Sequence, residues 1–272
     1  MKHIWHLATV SYKDSIRKRI LWVFLIFSFI LIVSAVALEV MSLERSSVFD
    51  QTAGLAGTDA AATEEKMAKD MGVASIAIFA VLIILFTAAT QIPEEIEGRT
   101  LYTLLTFPLR RRHYILGKFL GQVLVILTIV PVMAAILYGA LFIKYHSVDF
   151  VILKGIYTLI VQLCVLASVC VMLSTFSPVN FSIIFCFVLF LAGHTTGYLS
   201  ILAKETAFLP AKWGLTALYT IIPNFEYFNL SNELALKTDV SYAYLFSVTL
   251  YGLVYVASML TIGVVAFRDR QI

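Results

Sequence analysis

Three glutamates, Glu94, Glu95 and Glu97, and three consecutive arginines, Arg110, Arg111 and Arg112, fall in one short stretch of this 272-residue chain. Pro93 suits a first helical position, and glutamates directly after it complement the helix dipole. Ile92, Ile96, Leu101, Leu104 and Leu105 share a broad apolar side, and Pro108 ends the run. The pattern predicts a short amphipathic helix over 93–108, acidic first and basic after. A solvated loop whose arginines anchor membrane helix ends is the blander reading. Elsewhere reactive side chains do not assemble into known catalytic patterns. Gly117-Lys118 has Arg112 where a P-loop needs its first glycine and Phe119 where it needs Ser or Thr, so the chain carries no recognisable ATP site. His194 is the only histidine in an apolar stretch, and Ser168, Ser174 and Ser182 lack the glycine frame of a nucleophilic serine. Cys164, Cys170 and Cys186 all lie in apolar stretches and have no metal spacing; they read as small buried residues, and no disulfide is expected.

The elements that must position these residues follow from where charges are missing. Only 14% of residues are charged, 60% are hydrophobic and the mean hydropathy is +0.91. Five stretches hold no charge: Ile20–Leu38, Met71–Pro93, Phe119–Ile143, Gly155–Ala203 and Val240–Phe267, together 144 residues. This excludes a soluble enzyme, a disordered chain and a nucleic-acid binder, and describes a multi-pass membrane protein. Crossing a bilayer takes about 20 apolar helical residues. Four stretches serve one crossing each. The 49-residue stretch breaks at Ser177-Pro178-Val179-Asn180 into two. The expected fold is all-α, a single domain over 1–272, with six spans near 20–38, 71–91, 117–143, 155–176, 179–200 and 241–267. With the N-terminus inside, the inner segments carry 12 basic and 5 acidic residues and the outer ones 8 and 12. The positive-inside rule therefore puts both termini in the cytoplasm. Ile4, Leu7, Ala8, Tyr12, Ile16 and Ile20 share one helical face, which predicts an amphipathic helix on the inner leaflet before an uncleaved first span.

The stretch Glu94-Glu95-Ile96-Glu97-Gly98-Arg99-Thr100-Leu101, followed by Leu104-Leu105-Thr106-Phe107-Pro108-Leu109-Arg110-Arg111 and Ile115-Leu116-Gly117-Lys118-Phe119, resembles the ABC-2 family of ABC-exporter permeases. It is most similar to the short six-span subunits typified by copper-enzyme-maturation and gliding-motility permeases. Arg99 stands where that family often has a small residue. Ile222-Pro223-Asn224-Phe225-Glu226, before the last span, is a second and weaker likeness. The resemblance implies a permease in a bacterial inner membrane that is no enzyme itself and binds no cofactor. Its path forms with a second copy or paralogue, and ATP with Mg is bound by a separate cytoplasmic ATPase subunit. It implies a coupling helix docking on that ATPase, with Glu94, Glu95, Glu97, Arg99 and Leu101 as the contact.

The charge-free stretches hold no Asp, Glu, Lys or Arg and His194 as their only histidine, which weighs against the rival reading of an ion-coupled secondary carrier. A membrane scaffold for another enzyme is the other alternative. His194, Thr195 and Thr196, framed by Gly193 and Gly197, sit toward the outer end of span five. With Tyr251 and Tyr255 of span six they are candidates for the translocation path, against a plain packing role. Gln122 and Gln162 should face other helices, and Gly117 with Gly121 should seat a close neighbour. Outside the membrane, Gly54–Thr63 is expected to be mobile, and 211–222 to form an interfacial or re-entrant outer helix in contact with membrane lipid.

Overall fold

A computed structural model describes residues 2–34, 59–98, 111–146, 150–196, 222–230 and 240–269. Seven α-helices run through them: α1 Lys2–Arg17, α2 Arg19–Ser34, α3 Asp59–Glu97, α4 Arg111–Tyr145, α5 Phe150–Ser174, α6 Val179–His194 and α7 Tyr242–Asp269. A single 3-10 turn spans Glu226–Phe228, and no strand occurs among the described residues. Four helices are long and apolar enough to cross a membrane: those over 68–97, 112–145, 151–174 and 242–267, with hydropathies of 2.0 to 2.6. The chain is thus a multi-pass membrane protein. The two shorter apolar helices, α2 and α6, hold 16 residues each within the described segments. At 1.5 Å per residue that is about 24 Å, short of a hydrocarbon core of about 30 Å.

α5 is the central element and packs against α3, α4, α6 and α7. Its sequence explains this, since Leu163, Val165, Leu166, Ala167, Val169 and Val171 are buried on several sides of the helix. Such all-round apolarity belongs to a helix enclosed by others. The 49-residue apolar stretch divides at the expected break. α5 ends at Ser174, and extended Pro178 caps α6, which starts at Val179.

Three expectations change. Pro93 does not begin a new helix. α3 runs on to Glu97, with Pro93 inside it, and Gly98 N–H closes the end on Glu94 O at 2.9 Å. A proline removes one N–H and crowds the carbonyl four residues earlier. Here the loss falls one turn from the helix end, where a single missing bond is tolerated. Second, α3 already starts at Asp59, so 59–63 is helical rather than irregular. Third, α1 presents not only its apolar stripe but Ser11 and Ser15 to its neighbours, while Ile20 is exposed. It packs along α4, where an added Cβ at Gly117 would meet Leu7 at 2.7 Å, and one at Gly121 would meet Ser11 at 2.6 Å. The two glycines seat α1, which lies against a neighbouring helix rather than on lipid alone. Residues 99–110, 197–200 and 211–221 lie outside the described residues. So do Arg99, Leu101 and nearly all of the outer helix expected over 211–222.

Candidate functional site

Two polar clusters stand out, one at the C-terminal end of α3 and one around the 222–230 segment. At the end of α3 two of the three glutamates meet lysines, Lys18 from the junction of α1 and α2 and Lys118 from α4. Glu94 Oε2 pairs with Lys18 Nζ at 2.6 Å, and the same ammonium donates to Thr90 Oγ1. Glu95 accepts from Lys118 Nζ and from the Tyr114 hydroxyl, both on α4. Tyr114 in turn stacks on Phe267 of α7, with centroids 5.6 Å apart and planes 15° apart. Lys118 is 2% exposed, a nearly enclosed cation that must be paired, whereas Glu97 is exposed. One side-chain cluster thus ties the junction of α1 and α2 to α3, α4 and α7. It also answers an electrostatic problem that the continuous helix creates. Three carboxylates at a helix C-terminus oppose the dipole, and the two lysines offset two of them.

Glu94, Glu95 and Glu97 are brought together as the sequence suggests, but two of them are held inside the chain. Their partners Lys18, Tyr114 and Lys118 were not expected. Only the unusual placing of Lys118 just inside an apolar run could have hinted at one of them.

The second cluster gathers where α5, α6 and α7 meet the 222–230 segment. Phe225 N–H donates to Gly193 O at 3.0 Å, and the Phe225 ring lies against Phe190 and His194 with centroids 5.6 and 5.8 Å away. Gly193 is needed for this approach, because a Cβ there would sit 2.4 Å from Phe225 and 2.6 Å from Pro223 O. Asn224 N–H donates to the Tyr251 hydroxyl at 3.0 Å, and Asn224 Oδ1 accepts from Glu226 N–H at 3.0 Å. The Tyr244 hydroxyl donates to Tyr227 O at 2.8 Å. The Pro-Asn-Phe segment is therefore docked on α6 and α7, and two sequence signals that were separate on paper form one structure.

His194 Nε2 lies 3.3 Å from Gln162 Nε2 on α5, and its Nδ1 lies 3.2 Å from Phe190 O. A carbonyl can only accept, so Nδ1 carries the proton and Nε2 accepts from the Gln162 amide. Thr195 and Thr196 turn their hydroxyls back on Ala192 O and Gly193 O, each at 3.0 Å. Tyr251 and Tyr255 lie against each other with centroids 6.0 Å apart. Of the proposed path residues, His194 and Tyr251 are joined through the docked segment, and the threonines are occupied locally. A cavity of about 390 Å³ adjoins this cluster. It is lined by α3, α5, α6 and Phe228, Asn229 and Leu230. Of its polar lining residues, His194 was a candidate from the sequence, and Gln162 and Asn229 were not.

No group of three or more metal-ligating side chains occurs among the described residues. The family model described as "ABC-2 family transporter protein" matches residues 5–272. No curated protein matches the chain. The chain belongs to the ABC-2 transporter family.

Proposed function

We propose, from this membership of the ABC-2 transporter family, that the chain is the permease subunit of an ATP-driven exporter in a bacterial inner membrane. The observation that carries the reading is the family match over 5–272. Six helices, α2 to α7, cross the bilayer with both termini inside. This is supported by the excess of Lys and Arg in the inner segments. A second copy or paralogue completes the path, and two separate ATPase subunits bind ATP and Mg, since the sequence has no P-loop.

The ATPase docks at the cytoplasmic end of α3 and the segment after it. Glu97 and the exposed side of Glu94 face the partner, and Arg99 and Leu101, which follow in the sequence, belong to the same contact. Glu95 holds the docking end to α4, so movement of the ATPase passes to the spans as a rigid displacement. The acidic cluster pinned to the junction of α1 and α2, to α4 and to α7 supports this division of labour.

The test is affinity purification of the chain from its native membrane. A P-loop ATPase should co-purify, and its activity in vesicles should depend on the chain. Recovery of no ATPase, or hydrolysis indifferent to the chain, would sink the reading.

A further inference from the structure

We propose that the cavity beside His194 is a binding site for an uncharged amphiphile, with hydrocarbon in the cavity and a hydrogen-bonding head at Gln162. It rests on the permease reading only for the molecule's role as cargo. The binding itself stands apart from that reading.

The volume of about 390 Å³ is in the range of small-molecule pockets, and the walls are of the usual kind, apolar with few polar groups. Val73, Ala77, Leu159 and Phe190 supply hydrocarbon surface. The polar groups of the lining are Gln162, His194 and Asn229, and no charged side chain is among them. A charged head would enter uncompensated, at a cost no neutral head meets.

Gln162 is the recognising group. It is 5% exposed, and one of its N–H donors is used on His194 Nε2. His194 is fixed in turn by Phe190 O, so it cannot rotate away to satisfy itself elsewhere. The carboxamide oxygen of Gln162 and its second N–H have no hydrogen-bond partner among the described residues. A buried amide with a free acceptor and a free donor, bordering a cavity, suits a hydroxyl, ester or amide head that both gives and takes a hydrogen bond.

Access is sideways. Ile78 of α3 and Leu191 of α6 both line the cavity and are 58% and 50% exposed. The mouth therefore opens between those two helices, toward hydrocarbon. The docked 222–230 segment forms the wall at the end.

The experiment uses the full chain in phosphatidylcholine nanodiscs and tritiated 1-monooleoylglycerol as the probe. Saturable binding of about one molecule per chain is expected. Oleate and oleylamine, which share the hydrocarbon but carry opposite charges, should compete at least about tenfold more weakly than unlabelled monooleoylglycerol. Gln162→Leu should weaken binding about fivefold to tenfold, the value of one or two lost hydrogen bonds. Ala77→Phe should abolish it by filling the space. Gln162→Leu nearly keeps the side-chain bulk and decides the matter should Ala77→Phe fail to fold. Unsaturable partitioning, equal competition by either ion, or full binding to Gln162→Leu would overturn the proposal. ATPase recovery should be the same with Gln162→Leu as with the unchanged chain. Failure to recover any ATPase with the unchanged chain would strike the permease reading and leave the binding result standing.

Discussion

At the scale of single residues, the three glutamates separate by what each one touches. Lys118 is enclosed, and its charge is met by Glu95. Removing one partner of a buried pair leaves the other charge uncompensated, which costs about 3–5 kcal/mol. Glu95→Gln should therefore lower the thermal unfolding midpoint in detergent strongly. Glu95→Gln combined with Lys118→Met should recover much of that loss. Glu94 is 53% exposed, and its pair with Lys18 should contribute no more than about 1 kcal/mol, so Glu94→Gln should be mild. A Glu94→Gln midpoint as low as that of Glu95→Gln would contradict this order. Glu97→Lys is the complementary variant. It should leave the midpoint unchanged and reduce ATPase co-purification severalfold, because it alters an exposed charge on the proposed docking face.

At the scale of elements, two glycines allow neighbouring pieces to approach closely. The 222–230 segment reaches α6 through the Phe225–Gly193 hydrogen bond. Gly193→Ala puts a methyl against Pro223 O, a backbone atom that cannot swing aside. Overpacking of this kind costs about 1–3 kcal/mol. The segment should lift, and hydrogen exchange at residues 222–230 should rise while the protection of α5 is retained. Unchanged exchange there would show that the contact is not needed. Gly121→Leu should in the same way expel α1 from α4, seen as faster tryptic cleavage at Lys13 and Arg17.

These contacts also mark how far the sequence could be read. Four apolar helices long enough to cross a membrane, and the break at Pro178, were legible because missing charges and a proline are one-dimensional signals. The fate of Pro93 was not, because a proline suits a helix start and is also tolerated near a helix end. Whether the turn before it stays helical depends on packing. Gly117 and Gly121 announced a close neighbour, but only the third dimension shows that it is α1. Gln162 and His194, 32 positions apart, could each be recognised as polar residues needing a partner. Nothing along the chain says that they find each other.

At the scale of the whole molecule, the question is which uncovered face meets a second chain. Exposure of apolar side chains does not decide it, since lipid is as apolar as leucine. The helices differ in a more useful way. α7 turns Ser258 and Thr261 outward, but each hydroxyl bonds back to its own helix, on Tyr255 O at 2.8 Å and Ala257 O at 2.7 Å. That face is satisfied as it stands and suits lipid. α6 is apolar on nearly every side, yet Phe181, Ile184, Phe185, Val188 and Leu191 are uncovered along one stripe. A helix apolar all round is usually an enclosed one. The stripe ends at Leu191, beside the cavity mouth, which opens to hydrocarbon on the side of Ile78. If the permease works as a dimer, α6 is the better seam. Ile184→Cys should then form a cross-linked dimer in native membranes under mild oxidation. Ala257→Cys on α7 and the unsubstituted chain, whose Cys170 and Cys186 are buried, should stay monomeric on denaturing gels. Cross-linking through Ala257→Cys instead would move the seam to α7 and turn the α6 stripe toward lipid.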